Sequence, residues 1–415
     1  MSQTPRIRTT FCCTVLVVAA GASATACGGP DGHPLAMKPY DAARQVAFNT
    51  PADNRKAELG APLEITSRGG GSRITDVSAV DSAGRHLAGE LSADGSHWRS
   101  TSPLAASSRY TVRVATEDGD GLPGARTMSF ETAAAKKALK VEFGPDGGTY
   151  GVGQPLTATL SEPVTSKEGR AAVEGSLKVR SKPAVTGGWH WVDDKTLHYR
   201  PKEYWPAGAK VTASGNLAGV RIADGLYGGG NPVLNLTIGD RMEAVTDAAA
   251  HTMTVKRNGE VINTIPVTTG KPGFSTRNGV KVVLGKEYYV RMRGTTVGIA
   301  EGSSDSYDLP VYYATRVTWS GEYVHAAPWS SGSHGAANVS HGCTGMSTSN
   351  AAWFFETFKV GDLVTVVNSE GEDMTPFGNG FGDWNLPWDK WNQGSALAAA
   401  TRAATETPRL RPGAY

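Results

Sequence analysis

Short alternating runs of apolar and polar residues, broken by glycine-, proline- and aspartate-rich turns, recur along most of the 415-residue chain. Alternation of this kind, with few helix-period stretches, predicts a mainly β protein. In residues 49–134 the runs Leu63-Glu-Ile-Thr, Ile74–Val80 and Tyr110–Ala115 flank turn signals such as Asp118-Gly-Asp-Gly121, the pattern of a β-sandwich. An alanine-lysine run near Ala133–Ala138 leads into a second block, residues 135–240, with strand patterns at Leu177–Arg180, Trp189–Val192, Thr196–Arg200 and Lys210–Ala213. Both blocks carry an aromatic strand, a proline turn and a β-branched strand: Trp98…Pro103…Tyr110-Thr-Val and Tyr199…Pro206…Lys210-Val-Thr. This weak repeat predicts two similar sandwiches in tandem. In the second, His190 and His198 read as surface or half-buried strand positions rather than a metal pair.

A third block, residues 241–369, opens with two alternating runs around Asn258-Gly259, a strong hairpin signal. Near its end, Ser347-Thr-Ser-Asn350 precedes an apolar run that Gly361 closes, which predicts a helix, and Leu363–Val367 then reads as a strand. The last block, 370–415, holds Trp384, Trp388 and Trp391 among glycines and prolines. These rings are expected to pack back onto the third block, with stacking on sugars as the alternative. The alanine-rich end from Ser395 reads as a frayed helix or a disordered tail.

Composition and the N-terminus place this fold. A formal net charge of +2 gives no field suited to nucleic acid, and none is expected as a partner. Arg6 and Arg8, the short apolar run Phe11–Ala20 and the small residues up to Ala26 form a secretory leader over residues 1–26, too short to span a bilayer unaided. Cys27 at the cleavage point resembles the acylated cysteine of a bacterial lipobox, although Ala24 stands where leucine is usual. Residues 27–48 would then be a tether from a lipidated Cys27, and cleavage after Ala26 without lipid is the alternative. Either cut removes Cys12 and Cys13. With Cys27 acylated, Cys343 becomes the one free thiol of the mature chain, and no disulfide framework exists.

Cys343 lies in Ser340-His341-Gly342-Cys343-Thr344-Gly345-Met346, and His325 lies 18 residues earlier in Val324-His325-Ala326-Ala327-Pro328-Trp329. A nucleophilic cysteine needs a base, an oxyanion hole and an oriented substrate. His325, at the end of a strand pattern, is the candidate base. Backbone N–H groups at Gly342, Cys343 and Thr344 are candidate oxyanion donors. The following helix start would favour a thiolate, and a Cys–His ion pair would hold it near neutral pH. His341 suits a lining or hydrogen-bonding role, and His334 reads as a solvated loop residue. An inert buried cysteine is the competing reading. No metal or cofactor is expected.

The pattern HAAPW…SHGCTGMS resembles the YkuD-type L,D-transpeptidases, mycobacterial type, in which two immunoglobulin-like domains precede the catalytic domain. Gly270, Asn278-Gly279-Val280, Ser349-Asn350-Ala351, Gly361-Asp362 and the Gly382–Trp391 tail extend the resemblance over nearly the whole mature chain. It implies two immunoglobulin-like β-sandwiches, a β-rich YkuD-type domain with a short helix after the cysteine, and a Trp-rich C-terminal subdomain. It also implies Cys343 as nucleophile, His325 as base, Ala326 orienting the imidazole through its carbonyl, and His341 beside the site. Tyr307 would belong to a lid over the oxyanion, and Ser340, Thr344, Trp329 and Met292 to the substrate site. Gly345 stands where the family has asparagine, and Val297 replaces a lid tyrosine, so acceptor or donor preference is expected to differ. The implied activity is formation of 3→3 peptidoglycan cross-links through a cysteine thioester, on stem peptides, at the outer face of a bacterial membrane, with carbapenems as inhibitors. Alternatives are an L,D-carboxypeptidase using water, or a wall-binding scaffold without catalysis.

Overall fold

The computed structural model describes residues 38–50, 56–69 and 71–398. The leader 1–26, Cys27 and the first part of the tether lie outside the described residues, as does the chain after Ala398.

Two four-stranded sheets face one another in the first sandwich. One has the order Tyr40–Asp41, Pro123–Glu131, Arg109–Glu117, Arg73–Asp81, and the other Val46–Phe48, Glu64–Ser67, His97–Ser100, Gly89–Leu91. Alternation along Arg109–Glu117 sends Tyr110, Val112 and Val114 inward, where they meet Ile65, Trp98 and Phe130. The second sandwich pairs Val141–Gly144, Leu156–Leu160, Thr196–Pro201 and Gly187–Trp191 against Thr149–Tyr150, Val233–Ile238, Lys210–Gly215 and Leu177–Lys182. It also holds a helix, Lys167–Ser176, that the residue pattern does not announce. Gly169 and Gly175 weaken its propensity. Its support is tertiary: Ser166 caps Gly169 N–H, Val173 is buried, and Glu174 accepts from Trp191 Nε1.

The third region has a five-stranded sheet in the order Glu260–Pro266, Thr252–Arg257, Met242–Asp247, Leu363–Val367, Gly279–Val282. A four-stranded sheet, Gly285–Arg293, Asp308–Arg316, Tyr323–Ala326, Thr344–Met346, packs beside it. The expected hairpin forms at Asn258 and Gly259, both at positive φ (50° and 93°) as a two-residue turn requires. The helix after Cys343 spans Thr348–Thr357, with Ser347 capping Asn350 N–H. It stops at Phe358 rather than at Gly361.

The two junctions differ. Between the sandwiches, Arg85, held by Asp81 at 2.6 Å, donates to the carbonyls of Asn216 (3.2 Å) and Ala218 (2.7 Å). Ala106 N–H donates to Gly219 O at 2.7 Å. Between the second sandwich and the third region the hydrophobic cores merge: Val282 and Leu363 belong to the same cluster as Leu156, Trp189 and Trp205. Gly151 and Gly153 N–H donate to Val360 O and Gly361 O, both at 2.9 Å. A Cβ on Gly151 would stand 2.2 Å from Asp362 N, so only glycine permits this approach.

The Trp-rich tail docks elsewhere than expected. It lies mainly on the second sandwich. Trp384 Nε1 donates to Gly153 O (2.8 Å) and Trp391 Nε1 to Gly188 O (2.9 Å). The Arg200 guanidinium lies 4.6 Å from the Trp391 ring centre. Far from being a surface position, His198 is buried against Asp383 at 2.7 Å, and His190 Nδ1 donates to Trp391 O at 2.8 Å. The Ser395 hydroxyl and the Ala396 N–H, read from sequence as a loose end, donate to Glu174. The physical reason is that the second sandwich supplies the polar partners the indoles need. The third region holds the tail through Asn385, which exchanges two 2.8 Å bonds with the Val280 backbone.

Candidate active site

Strand pairing brings the two candidate reactive residues together. Tyr323–Ala326 and Thr344–Met346 run parallel, with His325 opposite Gly345. Cys343 precedes the second strand, and both side chains line one cavity of about 900 Å³. Ser340 fixes the turn: its hydroxyl donates to Cys343 O at 2.6 Å and accepts Gly342 N–H at 3.1 Å. Gly342 has φ +116°, where a side chain would be strained. Thr276 Oγ1 donates to Gly342 O at 2.9 Å.

His325 is buried, and Nδ1 lies 2.8 Å from Ala326 O. A carbonyl only accepts, so Nδ1 carries the hydrogen and Nε2 keeps the basic lone pair. Burial holds this imidazole's pKa down at about 4. Trp329, about half exposed, stacks on it at 6.0 Å. The Cys343 thiol donates to Gly321 O at 3.5 Å, and its sulfur accepts a hydrogen bond from Tyr323 N–H. Burial pushes the thiol up to about 12; Glu322 adds to the rise, and Tyr323 N–H and Lys281 oppose it. Both shifts run against the expected thiolate–imidazolium pair and favour a neutral thiol and a neutral imidazole. Helix Thr348–Thr357 begins beyond an intervening strand, so its dipole is not at the sulfur.

Several other expected residues stand around the same cavity. His341 lies between Phe274 and Tyr307, ring centres 4.8 and 4.9 Å away, with Nε2 3.8 Å from Asp305. Tyr307 and Met292 line the cavity with Ser340. Gly345 also lines it, and a Cβ there would meet Ala327 Cβ at 2.9 Å and Thr268 Cγ2 at 3.0 Å, so the space left by the missing side chain is filled. Three expectations need correction. Thr344 is buried in its strand and does not line the cavity, so it cannot contact substrate there. Gly342 N–H is engaged by Ser340 and is not a free oxyanion donor. His334 is half-buried beside His325, and its pKa is lowered by burial.

The sequence reading missed a charged group beneath the turn. Lys281 is 1% exposed and lies 2.5 Å from Glu322 Oε2. Arg277 Nη1 is 3.0 Å from Glu322 Oε1 and lines the cavity. The one sequence signal is Lys281 at an apolar-flanked strand position in Gly279-Val-Lys-Val282.

Comparison with known proteins places the chain in a family. A family model described as an L,D-transpeptidase catalytic domain matches residues 241–366, and a bacterial Ig domain model matches residues 54–221. L,D-transpeptidase 2 of Mycobacterium tuberculosis is 36% identical over 341 residues, covering 82% of each chain. L,D-transpeptidase 5 of the same species is 32% identical, covering 90% of this chain and 82% of the relative. A solved L,D-transpeptidase in complex with imipenem is 40% identical over 56% of this chain and 99% of its own, with a TM-score of 0.47.

Proposed function

The chain belongs to the L,D-transpeptidase family and is an L,D-transpeptidase, and from that premise we propose that it works by cysteine acyl transfer, with Cys343 as nucleophile and His325 as general base. The observation that carries the assignment is the Nδ1–H bond from His325 to Ala326 O. It leaves Nε2 as the basic nitrogen in the cavity that Cys343 shares.

The resting pair is a neutral thiol and a neutral imidazole, so deprotonation accompanies attack. The thiol leaves Gly321 O and passes its proton to His325 Nε2 as sulfur bonds to the carbonyl of the diamino acid, third in a tetrapeptide stem. Cys343 N–H is the backbone donor assigned to the oxyanion, with Tyr307 and His341 closing over it. Collapse breaks the peptide bond, the imidazolium protonates the amine of the departing D-Ala, and a thioester remains. The side-chain amine of a second stem then attacks, His325 takes its proton, and the sulfur leaves and is reprotonated. The product is a 3→3 cross-link.

In this reading the protein acts on peptidoglycan outside the cell membrane. A leader over 1–26 directs export, an acylated Cys27 anchors the chain, and the sandwiches set the reach to the wall. Carbapenems acylate Cys343 as donor mimics.

Intact-mass spectrometry tests the chemistry. Incubation with a tetrapeptide stem or a carbapenem is expected to add one acyl group to the wild type and none to Cys343→Ala. An adduct of equal yield on Cys343→Ala would overturn the assignment. With an acceptor stem present, dimer is expected; tripeptide alone would make water the acceptor.

A further inference from the structure

Arg277 is the cationic side chain lining the Cys343 cavity. Its place is built from several directions. Its own N–H and its Nη1 both reach Glu322 Oε1, at 3.2 and 3.0 Å. Glu322 is fixed in turn by Thr318 Oγ1, which accepts its N–H at 2.8 Å. The preceding residue, Thr276, is bonded to Gly342 O, one residue before the nucleophile. A Cβ on Gly342 would lie 3.9 Å from Glu322 Cγ, so this carboxylate sits directly below the reactive turn.

Lys281 changes the charge of the group. It is buried, and its ammonium meets the other Glu322 oxygen at 2.5 Å. Whichever partner holds the shared proton, the Lys281–Glu322 pair sums to zero. The Arg277 charge is therefore not cancelled, although Glu322 holds the guanidinium in place. Nη1 makes the guanidinium's one bond to protein among the described residues, and the side chain is 37% exposed. Glu370 and Glu372 also line the cavity, and neither pairs with Arg277 among the described residues. A buried ion pair is costly to keep in a core, so its presence here calls for a use. A fixed, planar cation with donors to spare is suited to a carboxylate.

We propose that Arg277, positioned by the buried Glu322–Lys281 pair, binds the free α-carboxylate of the donor stem's terminal residue. This rests on the reading of Cys343 as the acylated nucleophile. The terminal carboxylate lies one residue beyond the attacked carbonyl, within reach of a side chain set beside the Cys343 turn. It departs with the leaving amino acid, so Arg277 acts in acylation and is vacated before the acceptor arrives. It also makes the enzyme cut at a chain end: a stem extended or capped at that carboxyl loses the contact.

The test compares thioester formation by the full-length protein on three donors: the tetrapeptide acid, its C-terminal amide, and an acid whose diamino-acid side chain carries a carboxamide in place of a carboxylate. Wild type is expected to favour the acid over the C-terminal amide by roughly 10- to 100-fold in acylation rate, the range of a charge-assisted hydrogen bond. Arg277→Gln is expected to reduce that preference to below about threefold on the same scale, and Arg277→Lys, which keeps the charge without the fork, to retain part of it. A wild type indifferent to the C-terminal amide, an Arg277→Gln preference equal to wild type, or an effect confined to the side-chain carboxamide would each overturn the proposal. Absence of thioester from every donor would overturn the Cys343 reading along with it.

Discussion

The two sandwiches share an architecture and differ in what they are attached to. The first has its own core, and among the described residues its hydrogen bonds to the second come from Arg85 and from Ala106 N–H to Gly219 O. The second shares its core with the sheet that carries Lys281 and receives the C-terminal tail through Trp384, Trp391, His198 and Glu174. Similar folds thus stand in one case on a polar joint and in the other as a structural half of the body that carries Cys343. The number of apolar side chains crossing each junction separates the two roles, because burial of apolar surface is what makes adjoining domains one cooperative unit.

The largest expected effect comes from cutting between the unequal partners. A chain beginning at Asp240 exposes Val282 and Leu363 and leaves the tail indoles without acceptors. It is expected to melt at least about 10 °C lower, the consequence of losing several kcal/mol in a domain of this size, or to aggregate. A chain beginning at Ala134 is expected to melt within about 2 °C of the catalytic transition of the full protein and to form carbapenem adducts at the same rate. Equal behaviour of the two truncations in calorimetry would erase the distinction.

Trp391→Ala comes next. The ring is fully buried, and its removal is expected to cost about 3–5 kcal/mol, read as a lower denaturant midpoint. Arg85→Ala follows, at about 1–3 kcal/mol, because it leaves the Asp81 carboxylate buried without its partner. Its signature is a broader distance distribution in small-angle scattering with adduct formation unchanged. A slower adduct rate would mean that the first sandwich reaches the active site after all. The smallest effect on stability accompanies the most specific one on rate. With His325 at about 4 and Cys343 at about 12, acylation is expected to be level through neutral pH. It should fall as pH drops toward 4, where the imidazole takes a proton and can no longer accept one from the thiol. The chain beginning at Ala134 should show the same limb. A limb near pH 6–7, or thiolate absorbance at neutral pH, would restore the ion pair.

Much of this organisation is written in local pattern. The Asn258-Gly259 hairpin, the alternation in Arg109–Glu117 and the helix capped by Ser347 each depend on neighbours within a few residues, and each is readable. Cys343 and His325 stand out as candidates by residue type, and the resemblance implies their roles and that of the Ala326 carbonyl. The unreadable features are long-range. The tail's destination depends on His190, His198 and Arg200, nearly two hundred residues away. Lys281 in isolation is a lysine in a strand, and it becomes a buried charge only when folding places Glu322 against it. The rise in the Cys343 pKa was unreadable for the same reason: desolvation at Cys343 is set by the whole cavity wall, and the strand Thr344–Met346 keeps the helix dipole away from the sulfur.

The clasp formed by Trp384, Trp391 and Ser395 has a consequence for biogenesis. A polypeptide emerges amino end first, so the second sandwich is made well before the segment that seals it to the catalytic sheets. Until Asp383–Ala396 have been synthesised and have crossed back over it, the receptors at His190, His198 and Glu174 stay open. Completion of the enzyme thereby waits on synthesis of Trp384–Ala396, and a chain cut short before Trp384 leaves the second sandwich and the catalytic sheets unsealed.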